Sequence, residues 1–286
     1  MKRILVPTDF SYASESALKL ASAIADNTGA EIFLINFTPH PFDESFTTMG
    51  DFQKRYDDEE TIFTIHLIKR NTERLKELAT RYTEGRVINI QVYGEELIGG
   101  VENYVKDKNI DIIIMGTSGE ETAKEFFTGN HTEQVMENSS IPVLSLREGQ
   151  EEADFTNIAL GVELESDEKD NFRAATSYVR KFAQDLGSKL HLVHVAKPGT
   201  KNRDEVEKQL HEFAQKFNFE DYSVNLHYAD DTEDGLIRFA RLNDIGVLAV
   251  MSHTEGGLFR VFRSSTSEDL SKESEIPLLS INLHNV

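Results

Sequence analysis

Gly116, Gly119 and Gly129 punctuate one run of the chain, Ile112 to Leu146, which reads IIIMGTSGEETAKEFFTGNHTEQVMENSSIPVLSL. The apolar residues Ile112 to Met115 predict a buried strand that runs straight into Gly116-Thr117-Ser118-Gly119. Gly129-Asn130-His131-Thr132 then opens a helix ending near Asn138. Glycines at a strand end and a helix start let backbone N–H groups approach an anion with no Cβ in the way. Asn130 and Thr132 add side-chain donors in the first helical turn, although Asn is also a common N-cap. His131 points at the anion or at solvent, and solvent is the plainer reading. The second candidate is Asp9, in Val6-Pro7-Thr8-Asp9-Phe10-Ser11. A carboxylate just beyond the first strand accepts hydrogen bonds from ligand hydroxyl or amino groups, or it supports the turn and caps the first helix.

The elements that must position these residues alternate along the chain. Arg3 to Val6 predicts a short buried strand. Ser11 predicts the N-cap of a helix whose apolar residues Ala17, Leu20, Ala21, Ile24 and Ala25 share one face, and Gly29 its C-terminal stop. Glu31 to Phe37 is the next strand. A long excursion around Pro39 to Thr61 precedes a helix over about Ile62 to Tyr82. Val87 to Val92 predicts a strand, Leu97 to Lys108 a helix, and Asp111 to Met115 and Pro142 to Leu146 the last two strands. Alternation with continuous apolar strands predicts a parallel sheet covered on both faces. Ligands in such folds sit beyond the carboxyl ends of the strands, where strand order reverses.

The pattern occurs twice. Ile141-Pro142-Val143-Leu144-Ser145-Leu146 recurs as Ile276-Pro277-Leu278-Leu279-Ser280-Ile281, Gly100-Val101 as Gly235-Leu236, and Tyr93-Gly94 as Tyr228-Ala229. Gly29 and the strand after it match Gly187 and Leu190 to Val195. Two domains are expected, residues 1–147 and 156–286, with a boundary in the acidic stretch Glu148 to Phe155. The 39–61 excursion occurs in the first copy only. Its aromatic residues Phe42, Phe46, Phe52 and Tyr56 would pack onto their own domain, cover the site or meet a partner.

Composition narrows the functions. The chain of 286 residues has 39% hydrophobic and 28% charged residues, which describes an ordinary globular protein. There is no cysteine, so disulfides, thiol catalysis and cysteine-based zinc sites are excluded. The formal net charge of −20 repels nucleic acid and anionic membranes. It leaves room for a small anion in a local pocket of backbone donors. No apolar run reaches the ~18 residues of a membrane span, and MKRILVPTDF lacks the apolar h-region and small-residue cleavage site expected of a signal peptide. A cytoplasmic protein is expected, with no nucleic-acid and no membrane partner. His191 and His194 fall on opposite faces of one strand, which argues against a shared metal.

The loop Gly116-x-x-Gly119, nine residues, then Gly129-Asn130 resembles the nucleotide loop of the universal stress protein family. Asn130 departs from that family's Ser or Thr, and Thr132 matches a second hydroxyl position. The resemblance implies two Rossmann-like α/β domains, each a five-stranded parallel sheet in the order 3-2-1-4-5 with helices on both faces. It implies ATP as the ligand of the first domain, with magnesium arriving with the nucleotide and no metal site of the protein's own. Asp9 would contact ribose or adenine beside Pro7 and Thr8, and Phe37 and Met115 would flank the adenine. Gly116, Ser118, Gly119, Gly129, Asn130, His131 and Thr132 would surround the phosphates. The family's last strands commonly pair, so the two copies would form a pseudo-dimer within one chain, with dimerisation of whole chains left open.

In the second copy Met251-Ser252-His253-Thr254-Glu255 stands in the place of Met115 to Gly119, with the loop one residue shorter. Ser264 to Glu268 replaces Gly129 to Glu133, and Glu163 replaces Asp9. This copy is expected to have lost triphosphate binding and to serve structure or a partner. No general base and no P-loop lysine accompany the loop, so a regulatory binding protein is expected, at most a slow ATPase. The competing reading is a nucleotide-free interaction or scaffold module. A dinucleotide dehydrogenase is excluded by the absent Gly-x-Gly-x-x-Gly.

Overall fold

The computed structural model describes residues 1–39, 59–83, 85–117, 129–147, 149–164, 172–252, 276–283 and 285. The first half contributes β1 (Arg3–Pro7), α1 (Tyr12–Thr28), β2 (Glu31–Phe37), α2 (Glu59–Tyr82), β3 (Asn89–Tyr93), α3 (Leu97–Lys108), β4 (Ile112–Thr117), α4 (Gly129–Asn138) and β5 (Val143–Arg147). The second contributes β6 (Asn157–Gly161), α5 (Phe172–Leu186), β7 (Lys189–Ala196), α6 (Arg203–Lys216), β8 (Tyr222–Tyr228), α7 (Thr232–Leu242), β9 (Val247–Ser252) and β10 (Leu278–Asn282). The excursion around Phe42 to Tyr56, and in the second copy His253, Glu255, Ser264 and the helix expected over about Thr266 to Lys272, lie outside the described residues.

The strands form one ten-stranded sheet in the order β3-β2-β1-β4-β5-β10-β9-β6-β7-β8. Each half therefore has the order 3-2-1-4-5, with parallel neighbours inside each half. The two meet edge to edge through the antiparallel pair β5–β10, Leu144 opposite Leu279. Ser145 Oγ donates to the Leu278 carbonyl across this seam at 3.3 Å. The pairing removes an exposed edge from each half.

Side chains alternate along the strands and so build two apolar layers. Ile4, Val6, Ile32 and Leu34 pack under α1 and α2, and Ile158, Leu160, Leu190 and Leu192 under α5 and α6. Leu5, Phe33, Ile35 and Phe37 pack against α3, and Ala159, Val193 and Val195 against α7. The continuous apolar strands of the sequence are buried on both faces for this reason. Ser11 caps α1, with Ser14 N–H donating to its Oγ at 3.3 Å, and Gly29 ends the helix at φ 71°.

Register corrects two alignments between the copies. Phe37 pairs with Tyr93, and Val195, its counterpart, pairs with His227. Tyr93 therefore corresponds to His227 and not to Tyr228. Met115 pairs with Ser145, and Val250 with Ser280. Val250 thus takes the place of Met115, and Met251 that of Gly116, so the segment from here to Ser264 is as long as that from Gly116 to Gly129. The repeated methionine suggested the shifted alignment. Alternation decides against it, since Met115 and Val250 share the α3–α7 layer while Met251 lies in the α1–α5 layer.

The acidic connection is ordered where described. Gly149 adopts φ 91°, Arg147 N–H donates to Gln150 Oε1 at 2.8 Å, and Lys19 Nζ reaches Glu151 Oε1 at 3.0 Å. A Cβ at Gly246 would lie 1.5 Å from the Asp154 carbonyl oxygen, so the connection passes directly over the start of β9.

Candidate functional site

The site candidates gather where β1 and β4 lie side by side and chain order reverses. Thr8 follows β1 and is fully buried. Its N–H donates to the Ile35 carbonyl at 2.9 Å, and its Oγ1 accepts from Phe10 N–H at 3.0 Å. Ser14 Oγ donates to the Ser11 carbonyl at 2.9 Å, so the 2.9 Å contact between Thr8 Oγ1 and Ser14 Oγ is donated by Thr8. Asp9 Oδ1 accepts from Ser11 N–H at 3.0 Å, an Asx turn that presents the carboxylate beside the helix start. Phe10 is held at φ 68°, a left-handed conformation unusual for an aromatic residue. The Arg74 guanidinium of α2 sits 3.9 Å from its ring centroid. One oxygen of Asp9 thus supports the turn, and the residue is half-buried at the strand end.

Gly116 has a specific reason to be glycine. A Cβ there would lie 2.0 Å from the Ala13 carbonyl oxygen, so only glycine lets the first turn of α1 rest on the end of β4. Thr132, buried in the first turn of α4, donates its hydroxyl to the Gly116 carbonyl at 3.1 Å. Thr132 therefore ties α4 to the strand end, and that hydrogen is committed. Gly129 is the first residue of α4 and Asn130 the second, so Asn130 lies within the helix and is not its N-cap. The α1 and α4 N-termini and the β1 and β4 carboxyl ends converge on Gly116. His131 is half-buried. Ser118 and Gly119 lie outside the described residues.

Two candidates stand apart from this convergence. Phe37 is 5% exposed and packs edge-on against Tyr93 and Tyr104, with ring centroids 5.6 and 6.4 Å away. Met115 is 1% exposed in the same layer. Both face the α3–α4 side, whereas Gly116 faces α1. Pro7 is buried as the last residue of β1.

Sequence reasoning missed a buried polar network beneath the Asp9 turn. Asn36 Nδ2 donates to the Thr8 carbonyl at 2.8 Å. Its Oδ1 accepts from Asn71 Nδ2 of α2 at 2.8 Å and from Thr38 Oγ1 at 2.6 Å. Two asparagines this deeply buried are held by satisfying one another. The one sequence signal was a polar residue, Asn36, inside the apolar strand Glu31 to Phe37. In the second half His194 Nδ1 makes the same contact, 2.9 Å from the Val162 carbonyl. His191 lies instead near Phe239 of α7, on the opposite face of β7 as expected. Among the described residues no group of three or more His, Asp or Glu side chains is placed to hold a metal ion, and no helix is long and apolar enough to cross a membrane.

A doubly wound α/β fold whose glycine-bearing strand end meets two helix N-termini at the strand-order reversal is a Rossmann-like protein with a candidate anion-binding end. The model of the universal stress protein family matches residues 1–147. A universal stress protein of Methanocaldococcus jannaschii is 31% identical over 167 residues, covering 51% of this chain and 94% of that protein. A second from the same organism is 26% identical over 161 residues, covering 53% and 85%. The solved universal stress protein of Archaeoglobus fulgidus DSM 4304 superposes at a TM-score of 0.66 with 20% identity and 98% of each chain covered. The chain belongs to the universal stress protein family.

Proposed function

We propose that the first half binds an adenine nucleotide, ATP, at the carboxyl ends of β1 and β4. The observation that carries this reading is the convergence on Gly116, where a strand end too tight for any Cβ meets the first turn of α1 and a helix start tied down by Thr132. Backbone donors at the start of α4 suit phosphate oxygens, and the Asp9 carboxylate suits a ribose hydroxyl. Gly116, Ser118, Gly119, Gly129, Asn130 and His131 form the phosphate end, with Thr132 fixing the start of α4 through the Gly116 carbonyl and magnesium arriving bound to ATP. Pro7, Thr8 and Asp9 form the nucleoside end. The inward packing of Phe37 and Met115 leaves them as support beneath the adenine.

The working units are residues 1–147, which hold the nucleotide, and residues 156–286, which form with them a pseudo-dimer. The chain acts in the cytoplasm as a stress-response or regulatory factor, through its nucleotide state more than through turnover. Thermal unfolding with and without millimolar Mg-ATP tests this, beside Gly129→Glu. Ligand at ~100 times its dissociation constant stabilises the domain that binds it by about 2.7 kcal/mol, a shift of several degrees. A shift in the wild type that vanishes in the variant supports the assignment. No shift in the wild type at saturation leaves the nucleotide-free interaction module as the function.

A further inference from the structure

The second half carries a polar relay that the first lacks. On the α7 face of the sheet, His191 Nε2 lies 3.1 Å from Asn157 Oδ1 and His191 Nδ1 lies 2.9 Å from Ser223 Oγ. The hydrogen-bond directions follow from the partners. Asn157 Nδ2 donates to the Asp244 carbonyl at 3.5 Å, which leaves Oδ1 facing the imidazole as an acceptor. Nε2 therefore carries the proton and Nδ1 the lone pair, so Ser223 O–H donates to Nδ1. Asn225 Nδ2 donates in turn to Ser223 Oγ at 3.1 Å.

Register shows what this set replaces. His191 pairs with Ser223 as Phe33 pairs with Asn89, and Asn157 corresponds to Arg3. The first half thus has Phe33 packed edge-on against Tyr104 where the second has an imidazole directed at a serine. His191 and Ser223 are both half-buried, and β8 is an edge strand of the sheet.

We propose that Ser223 is a nucleophilic serine, with His191 as its general base, Asn157 as the residue that orients His191, and an activated acyl ester as the substrate class. Ser223 Oγ forms a bond to the acyl carbonyl carbon while its proton passes to His191 Nδ1. The bond from that carbon to the leaving oxygen then breaks. The leaving group departs with the electron pair and takes the proton from His191, which leaves Ser223 as an ester. Asn225 Nδ2, which also donates to the Leu192 carbonyl at 3.4 Å, fixes the position of Ser223 Oγ for attack. Burial, with Lys189 adding to it, holds the His191 pKa below its ordinary value and keeps the base unprotonated at neutral pH.

The test treats the full chain with p-nitrophenyl acetate and maps acetylated residues by mass spectrometry over time. No cysteine competes for the reagent. The expected result is acetylation of Ser223 at least about tenfold faster than at any other serine, a modest fraction of what a positioned base contributes. The rate should rise with pH to a plateau as His191 loses its proton. It should fall to the level of the other serines in His191→Phe, the residue the first half uses at this place. Circular dichroism checks that the variant is folded, and if it is not, Asn157→Leu serves in its place. Labelling of Ser223 no faster than other serines, or a rate unchanged in the folded variant, overturns the proposal.

Discussion

Gly116 and Met251 occupy the same register position, at the end of the fourth strand of each half, and the two halves diverge from there. Glycine lets α1 rest its first turn on the strand, with the Ala13 carbonyl in the space a Cβ would need. Met251 instead carries a buried side chain into the α1–α5 layer. The polar support differs as well. Asn36 is held by Asn71 and Thr38, while His194 has Val206 and Ala196 at those places. One backbone frame thus carries two different strand ends. What separates them is the volume and polarity of a few side chains beneath the turn.

The largest expected effect comes from erasing that difference. Gly116→Met should cost the first half about 3 kcal/mol or more, the upper range for overpacking, because the clash is with backbone. Urea unfolding followed by circular dichroism checks it, and a cost below about 1 kcal/mol would mean that α1 can lift off β4 freely. Asn71→Val, which installs the residue of the second half, should cost about 1–2 kcal/mol by leaving Asn36 partly unsatisfied. The same substitution should weaken Mg-ATP binding without touching the ligand, and unchanged affinity in calorimetry would detach the network from the site.

A pH titration compares the aromatic layers. Phe33 and Tyr93 flank Tyr104 in the first half, where His191 and His227 flank Phe239 in the second. Burial lowers both histidine pKa values from 6.5, with Lys189 and Arg238 adding to it. The unfolded chain therefore takes up protons first as pH falls. The stability contributed by these histidines is present above pH 6.5 and is lost progressively below it. The double variant His191→Phe with His227→Tyr should flatten the fall in urea midpoint between about pH 7 and 5, and an unchanged slope would place the acid sensitivity elsewhere. The smallest effect is expected at the connection between the halves. Lys19→Met removes the ion pair to Glu151, which raises the lysine pKa. Since Lys19 is 40% exposed, the loss should stay below about 1 kcal/mol, measured as a difference in urea midpoint.

Much of the fold was legible from the residues. Apolar strands alternating with amphipathic helices gave the doubly wound class, and the repeat gave two halves. Ser11 and Gly29 marked the ends of α1 because capping and left-handed stops are local chemistry. That the end of β1 and the glycine-bearing end of β4 belong to one site was an expectation from the family's spacing. The structure adds the Ala13–Gly116 contact, which packs the first turn of α1 on the end of β4. The Asn36–Asn71 network was not legible, since nothing local says that residues on β2 and α2 face one another.

The sequence by itself determined which segments are strands and helices, which residues end them, and that one pattern is used twice. Those are short-range properties of side-chain period, turn chemistry and composition. Only the tertiary structure decided which residues of the two copies are equivalent, because sheet register is fixed by pairing between strands distant in the chain. It likewise decided that β5 and β10 pair antiparallel, that Gly116 is imposed by a helix, and that an imidazole, a serine and two amides from β6, β7 and β8 meet on one face.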